Sequence, residues 1–170
     1  MEHTNFLHVY TGDGKGKTTA SIGLGIRAHG RGLRVCVYHF LKPRDSGEDI
    51  VMKKLGIPVH HYGIEGFFKP TKPPDKLKDI IKQGFRDAIN TIKSGEFDLV
   101  ILDEANYCFF AGLMPVDDFI KSIEDARCEI ICTGRNAPDK LIERADLVTE
   151  MKEIKHYFQK GIQAREGIEF

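Results

Sequence analysis

The octapeptide Gly12-Asp13-Gly14-Lys15-Gly16-Lys17-Thr18-Thr19 sets three glycines, two lysines and two threonines directly after the apolar stretch Phe6-Leu7-His8-Val9-Tyr10. That combination suits a polyphosphate. Glycines let backbone N–H groups turn inward onto phosphate oxygens, Lys17 adds a point charge, and a helix beginning near Lys17 presents its positive end. Thr18 offers a hydroxyl to a magnesium ion, so a nucleoside triphosphate is the first ligand to consider and all eight residues are its candidate contacts. The loop is one residue shorter than the usual pattern, because only Asp13, Gly14 and Lys15 separate Gly12 from Gly16. Keeping the usual register instead would put Thr11 at the first glycine position, where a β-branched residue resists positive φ.

A second set of chemical groups ends the apolar run Phe97-Asp98-Leu99-Val100-Ile101-Leu102, which delivers Asp103 and Glu104. Carboxylates at a strand end beside a phosphate loop are the usual magnesium partners of the loop's Lys and Thr. Spacing leaves open which of the two reaches the metal, so Thr18, Asp103 and Glu104 together form the candidate ligand set. Thr133-Gly134-Arg135 ends a later apolar run, and Arg135 could clamp a phosphate at the same rim.

Such groups need a scaffold, and apolar runs alternate with helical periodicity along the whole chain. A helix from about Lys17 to His29 carries Ala20, Ile22, Leu24, Ile26 and Ala28 around its circumference. The segments 34–40 and 58–62 read as strands with a brief helix over 48–55 between them. Residues 63–74, rich in Gly and Pro, read as a long loop. The clearest helix begins at Asp75, where Leu77, Ile80, Ile81, Phe85, Ala88, Ile89 and Ile92 recur at three- and four-residue spacing to Ser94. After the acid strand come a helix over 115–126, a strand over 129–133, a helix over 138–144 and a strand over 147–151. Strand–helix alternation predicts a three-layer α/β/α sandwich with a mostly parallel sheet, of the P-loop NTPase (RecA-like) kind. Both Gly12 and Asp103 fall at C-terminal strand ends, where such folds collect their ligands.

The chain of 170 residues suffices for one domain spanning 1–170. Its 25 Lys and Arg balance 25 Asp and Glu, so no global field favours nucleic acid. No apolar run approaches the ~20 residues of a membrane helix, and residues 1–5 lack the features of a secretory signal. A cytoplasmic location is expected. Cys36, Cys108, Cys128 and Cys132 form no Cys-x-x-Cys pair and read as buried reduced thiols.

Taken together, TGDGKGKTTAS, LGIRAHGRG, LVILDEANY, ICTGRNAPDKLIERADLVTEM and the tail IKHYFQKGIQAREGIEF resemble the P-loop type of ATP:corrinoid (cob(I)alamin) adenosyltransferase. The shortened TG-x-GKGKTT loop and the tail pattern of Lys155-His156, Gly161, Ala164 and Gly167-Ile168 carry most of that specificity. The resemblance implies transfer of the 5′-deoxyadenosyl group of ATP to cobalt(I) of a corrinoid, with release of triphosphate, in adenosylcobalamin biosynthesis or salvage. Lys17, Thr18 and Glu104 would do the catalytic work of positioning and charge neutralisation. It further implies corrinoid contacts by Arg27 and by Phe67 and Phe68, the two rings crowding out the axial ligand so that cobalt(II) can be reduced. A flavoprotein or reduced flavin is the implied electron donor and a homodimer the implied assembly. The chain departs from the family in having no Trp near those phenylalanines. It also starts almost at the first strand, so the family's lid is expected to be absent, replaced by the 63–74 loop or supplied by another subunit. Two rival readings keep the phosphate loop: a nucleoside kinase resembling the thymidine-kinase type, suggested by Asp103-Glu104-Ala105, and an ATP-binding module without chemistry.

Overall fold

In the computed structural model, which describes residues 5–66 and 72–169, six strands form one sheet in the order β3-β2-β4-β5-β1-β6, every neighbouring pair parallel. The strands are β1 Leu7–Thr11, β2 Val35–Phe40, β3 Val59–Tyr62, β4 Leu99–Asp103, β5 Glu129–Thr133 and β6 Leu147–Glu150. The helices are α1 Lys17–Gly30, α2 Gly47–Lys54, α3 Asp75–Ser94, α4 Ala105–Phe110, α5 Val116–Ser122 and α6 Asp139–Arg144. No helix among the described residues is long and apolar enough to cross a membrane.

The three layers follow from period-two alternation in strands covered on both faces. Val35, Val37, Leu99 and Ile101 point into a core with Ala28 of α1 and Met52 of α2. Their neighbours Cys36, Tyr38, Phe40, Val100 and Leu102 point the other way, into a larger core built on Leu77, Ile81, Phe85, Ala88 and Ile92 of α3 and on Phe109, Phe119 and Leu141. Aromatic packing of Phe85 on Phe40, with ring centroids 4.2 Å apart, joins α3 to the sheet. α3 ends where Gly95 takes φ 76°, a left-handed cap that glycine adopts without strain.

Three sequence expectations change. α1 buries Lys17, Ser21, Gly25 and Ala28, while Ile26 is exposed, so small side chains rather than large apolar ones face the sheet. Close approach is the reason: a Cβ on Gly25 would lie 3.1 Å from Ile101 Cδ1. α4 was not expected, because its residues Ala105-Asn106-Tyr107-Cys108-Phe109-Phe110 continue the apolar character of the strand before them without a turn signal. α5 stops at Ser122 instead of 126, closed by Ile123, whose N–H bonds the carbonyls of Phe119 and Ile120. All four cysteines are buried and free. Burial pushes the thiols of Cys36 and Cys128 up to about 12, which makes them poor nucleophiles.

Candidate active site

β1 runs into the glycine loop because the backbone must reverse there, and Gly12 at φ 97° and Gly16 at φ 117° perform the reversal. Thr11 stays in the strand, its Oγ1 accepting from Ala137 N at 3.2 Å, so Gly12 is the first glycine of the loop. The loop rests on the backbone just past β6. Gly14 N–H donates to Met151 O at 2.7 Å, so that amide is already engaged. Lys17 Nζ donates to Gly14 O at 2.7 Å, and burial is the chief cause that lowers its pKa.

The strand order sets β5 between the loop strand β1 and the acid strand β4, so β5 contributes its own end to the site. Asp103 is fully buried. Its Oδ1 accepts from Thr18 Oγ1 at 2.7 Å and from Thr133 Oγ1 at 2.7 Å. Its Oδ2 accepts from Lys42 Nζ at 2.7 Å and pairs with His39 Nδ1 at 2.8 Å. Burial alone would raise the Asp103 carboxyl, but His39 and Lys42 outweigh it and hold the group well below the usual carboxylate range.

Asp103, expected among the metal ligands, thus has both oxygens engaged by protein donors. Because the Thr18 hydroxyl spends its proton on Asp103, its lone pairs are left for a cation. Glu104 takes a left-handed φ of 63° and lines the cavity. Burial, followed by repulsion from Asp103, raises its pKa. Hydroxyl and carboxylate oxygens at one mouth are the hard donors that suit magnesium, so Thr18 and Glu104 fit that ion. Leu41, at the end of β2, is likewise left-handed at φ 63° and lines the same cavity. Two non-glycine residues strained by about 1–3 kcal/mol each at one site are a functional signature.

The cavity, of about 840 Å³, is lined by residues 13–19, Ile22, Leu41, Lys42, Gly47, Glu48, Glu104, Tyr107, Arg135, His156 and Gly167 to Glu169. Arg135 sits at its rim, Nη2 donating to Asp13 O at 3.3 Å. Arg27 does not line it. That residue is exposed in the last turn of α1, roughly 15 Å along the helix from Lys17 at 1.5 Å per residue. Phe67 and Phe68 lie outside the described residues.

Sequence reasoning missed several groups. His39 is the polar interruption of an apolar strand, and Ser46-x-x-Asp49 is a capping box opening α2, so both left a trace. Asn106, whose Nδ2 donates to the carbonyls of Tyr10 and Gly134 at 3.1 and 3.0 Å, ties α4 to the ends of β1 and β5 and left none.

The tail supplies a cover. Lys15 Nζ donates to Ile168 O at 2.8 Å and reaches Glu169 Oε1 at 3.2 Å, fastening the last residues across the glycine loop. Glu169 also accepts from Tyr157 Oη and from Arg165 N, the latter at 2.8 Å. With Lys15 44% exposed, the ion pair is worth about 0–1 kcal/mol. Lys15→Ala should therefore leave the melting temperature nearly unchanged while amide exchange at 157–169 quickens. Unchanged exchange there would show that the strap does not depend on Lys15.

Comparisons with known proteins agree over nearly the whole length. A protein-family profile described as "ATP:corrinoid adenosyltransferase BtuR/CobO/CobP" matches residues 3–170. The chain is similar to a corrinoid adenosyltransferase of Pseudomonas aeruginosa, at 36% identity covering 96% of this chain and 83% of that protein. It is similar to one of Escherichia coli at 30% identity, covering 100% and 88%. Among solved structures, the flagellar accessory protein FlaH of Methanocaldococcus jannaschii shares the fold, with a TM-score of 0.57 at 14% identity over 85% of this chain and 70% of that one.

Proposed function

The chain belongs to the ATP:corrinoid adenosyltransferase family, and from that premise we propose that the cavity joining the ends of β1 and β4 is where ATP meets its corrinoid acceptor. Transfer of an adenosyl group from ATP to a corrinoid, in cobalamin metabolism, is the activity of this enzyme. The finer reading concerns how ATP is held. Its triphosphate lies along the amides of Lys15 to Thr19 under Lys17 and Arg135, and C5′ of the ribose, instead of the γ-phosphorus, faces the acceptor.

Cobalt(I) of the substrate is itself the nucleophile. Its electron pair forms the Co–C bond to C5′ while the C5′–O bond breaks, and the electrons of that bond leave on the triphosphate. Cobalt ends formally as cobalt(III). No proton moves to or from C5′, so the protein needs no general base, and its work is orientation and charge neutralisation. Lys17 and Arg135 offset the charge that gathers on the departing oxygen. A bound magnesium ion would add to that neutralisation. Thr18 and Glu104 would hold it, with Asp103 fixing the Thr18 hydroxyl. Phe67 and Phe68 keep, on the resemblance alone, the part of crowding the axial ligand, and a flavoprotein or reduced flavin would supply electrons.

The observation that carries this reading is the contact of Thr18 Oγ1 with Asp103 Oδ1 at 2.7 Å, which joins the loop and the acid strand into one site. Its test is anaerobic incubation of the protein with Mg-ATP and chemically reduced cobalamin, following the absorbance of the Co–C product. ATP binding without any spectral change would overturn adenosyl transfer and leave the nucleoside kinase and the non-catalytic module.

A further inference from the structure

Three ionisable side chains with no exposure form one chain of contacts: Asp103 on β4, His39 on β2 and Asp49 on α2. His39 Nδ1 lies 2.8 Å from Asp103 Oδ2, and His39 Nε2 lies 2.8 Å from Asp49 Oδ1, the second contact being an ion pair off hydrogen-bond alignment. Lys42, with its side chain 31% exposed, adds a cation on Asp103. A buried polar bridge of this kind is often no better for stability than an apolar filling. Its geometry has a use, however.

Each carboxylate shares its two oxygens between the bridge and the site. Asp103 gives Oδ2 to His39 and Lys42, which turns Oδ1 onto the hydroxyls of Thr18 and Thr133. Asp49 faces His39 with Oδ1 and caps α2 with Oδ2, which accepts from Ser46 N at 2.6 Å and Ser46 Oγ at 2.8 Å. The first turn of α2 carries Gly47 and Glu48 on the cavity wall. From β3, the ring of His61 stacks on His39 at 5.1 Å, and its Nε2 lies 3.2 Å from Asp45 Oδ1 and 3.5 Å from Asp49 Oδ2. One imidazole thus fixes the acid behind the metal-binding hydroxyl and registers the α2 wall against it.

We propose that His39 is a positioning residue of the transferase site, bridging Asp103 and Asp49 so that Thr18 and the start of α2 meet Mg-ATP in fixed register. The proposal rests on the reading of this cavity as the Mg-ATP site. It is tested by calorimetric Kd values for ATP with and without magnesium, together with KM and kcat, for wild type, His39→Ala, His39→Gln and Asp49→Asn. His39→Ala leaves two buried carboxylates facing each other and can fail to fold. The other two variants keep the volume and remain informative.

Loss of a group that orients a metal ligand costs about 10–100-fold in affinity. Folded variants should lose about tenfold or more in Mg-ATP binding and in KM for ATP, with metal-free ATP binding close to wild type. Gln, which still donates one hydrogen bond to Asp103, should recover part of the loss of Ala. Wild-type Mg-ATP affinity in folded His39→Gln and Asp49→Asn, or equal weakening with and without magnesium, would overturn the bridge. Failure of all three variants to fold would give it a folding role alone and overturn it as well. Wild type that binds ATP identically with and without magnesium would instead fault the reading of the cavity.

Discussion

Lys17→Ala should lower kcat/KM for ATP by about 10²–10³-fold, equivalent to about 2.7–4 kcal/mol of transition-state stabilisation. Lys17 is buried, 9% exposed as a residue, and its Nζ donates to the carbonyl of Gly14. An ammonium so poorly hydrated interacts with a triphosphate more strongly than a solvated one does, and its lowered pKa records the same desolvation. The folded state gives up only one hydrogen bond, so stability should change by about 1 kcal/mol or less. Arginine should rescue poorly, because its planar fork is wider than the point charge this loop encloses. The measurement is steady-state turnover with saturating reduced corrinoid, beside a denaturant melt. Turnover within a few-fold of wild type would remove Lys17 from the triphosphate contacts.

Gly12→Ala should disable the loop from the backbone side. Gly12 holds φ 97°, and an added Cβ would stand 2.4 Å from Met151 O and 2.9 Å from Met151 N, neither of which is a flexible side-chain end. Backbone strain of about 1–3 kcal/mol adds to overpacking of about 1–3 kcal/mol. Either the loop lifts from the chain beyond β6 or that chain moves, and in both cases the Gly14 N–H to Met151 O bond is lost. The expected result is a clear fall in the denaturation midpoint together with loss of detectable ATP binding. Gly23→Ala on α1 is the control, since nothing lies within 4 Å of its added Cβ. That variant should be stabilised by about 0.5–1 kcal/mol. A Gly12→Ala protein that binds ATP normally would show that the loop does not need its present seat.

What the sequence made legible was set by local rules. The loop could be read because glycine, lysine and threonine each meet a phosphate's demand within eight consecutive residues. α3 could be read to its end residues because a 3.6-residue apolar period and a terminal glycine are both local signals. Asp103 could be placed at the site but not given its part there, because its partners Thr18, His39 and Thr133 come from three other elements, Lys42 from the segment after β2, and no spacing announces them. The same holds for the tail, whose contact between Lys15 and Glu169 spans 154 residues. Arg27 was assigned to a corrinoid through the resemblance, and the direction of α1 carries it away from the cavity. α1 itself was read as broadly apolar, whereas the sheet demanded small side chains at Ser21, Gly25 and Ala28, a requirement visible only once Ile101 stands opposite.

The claim that C5′ of ATP, and not its terminal phosphorus, is presented to the acceptor is tested most directly by the phosphorus products of a single anaerobic reaction with reduced cobalamin. Phosphorus NMR should show intact inorganic triphosphate in one-to-one ratio with the Co–C product and no ADP. ADP accompanied by a phosphorylated acceptor would contradict it.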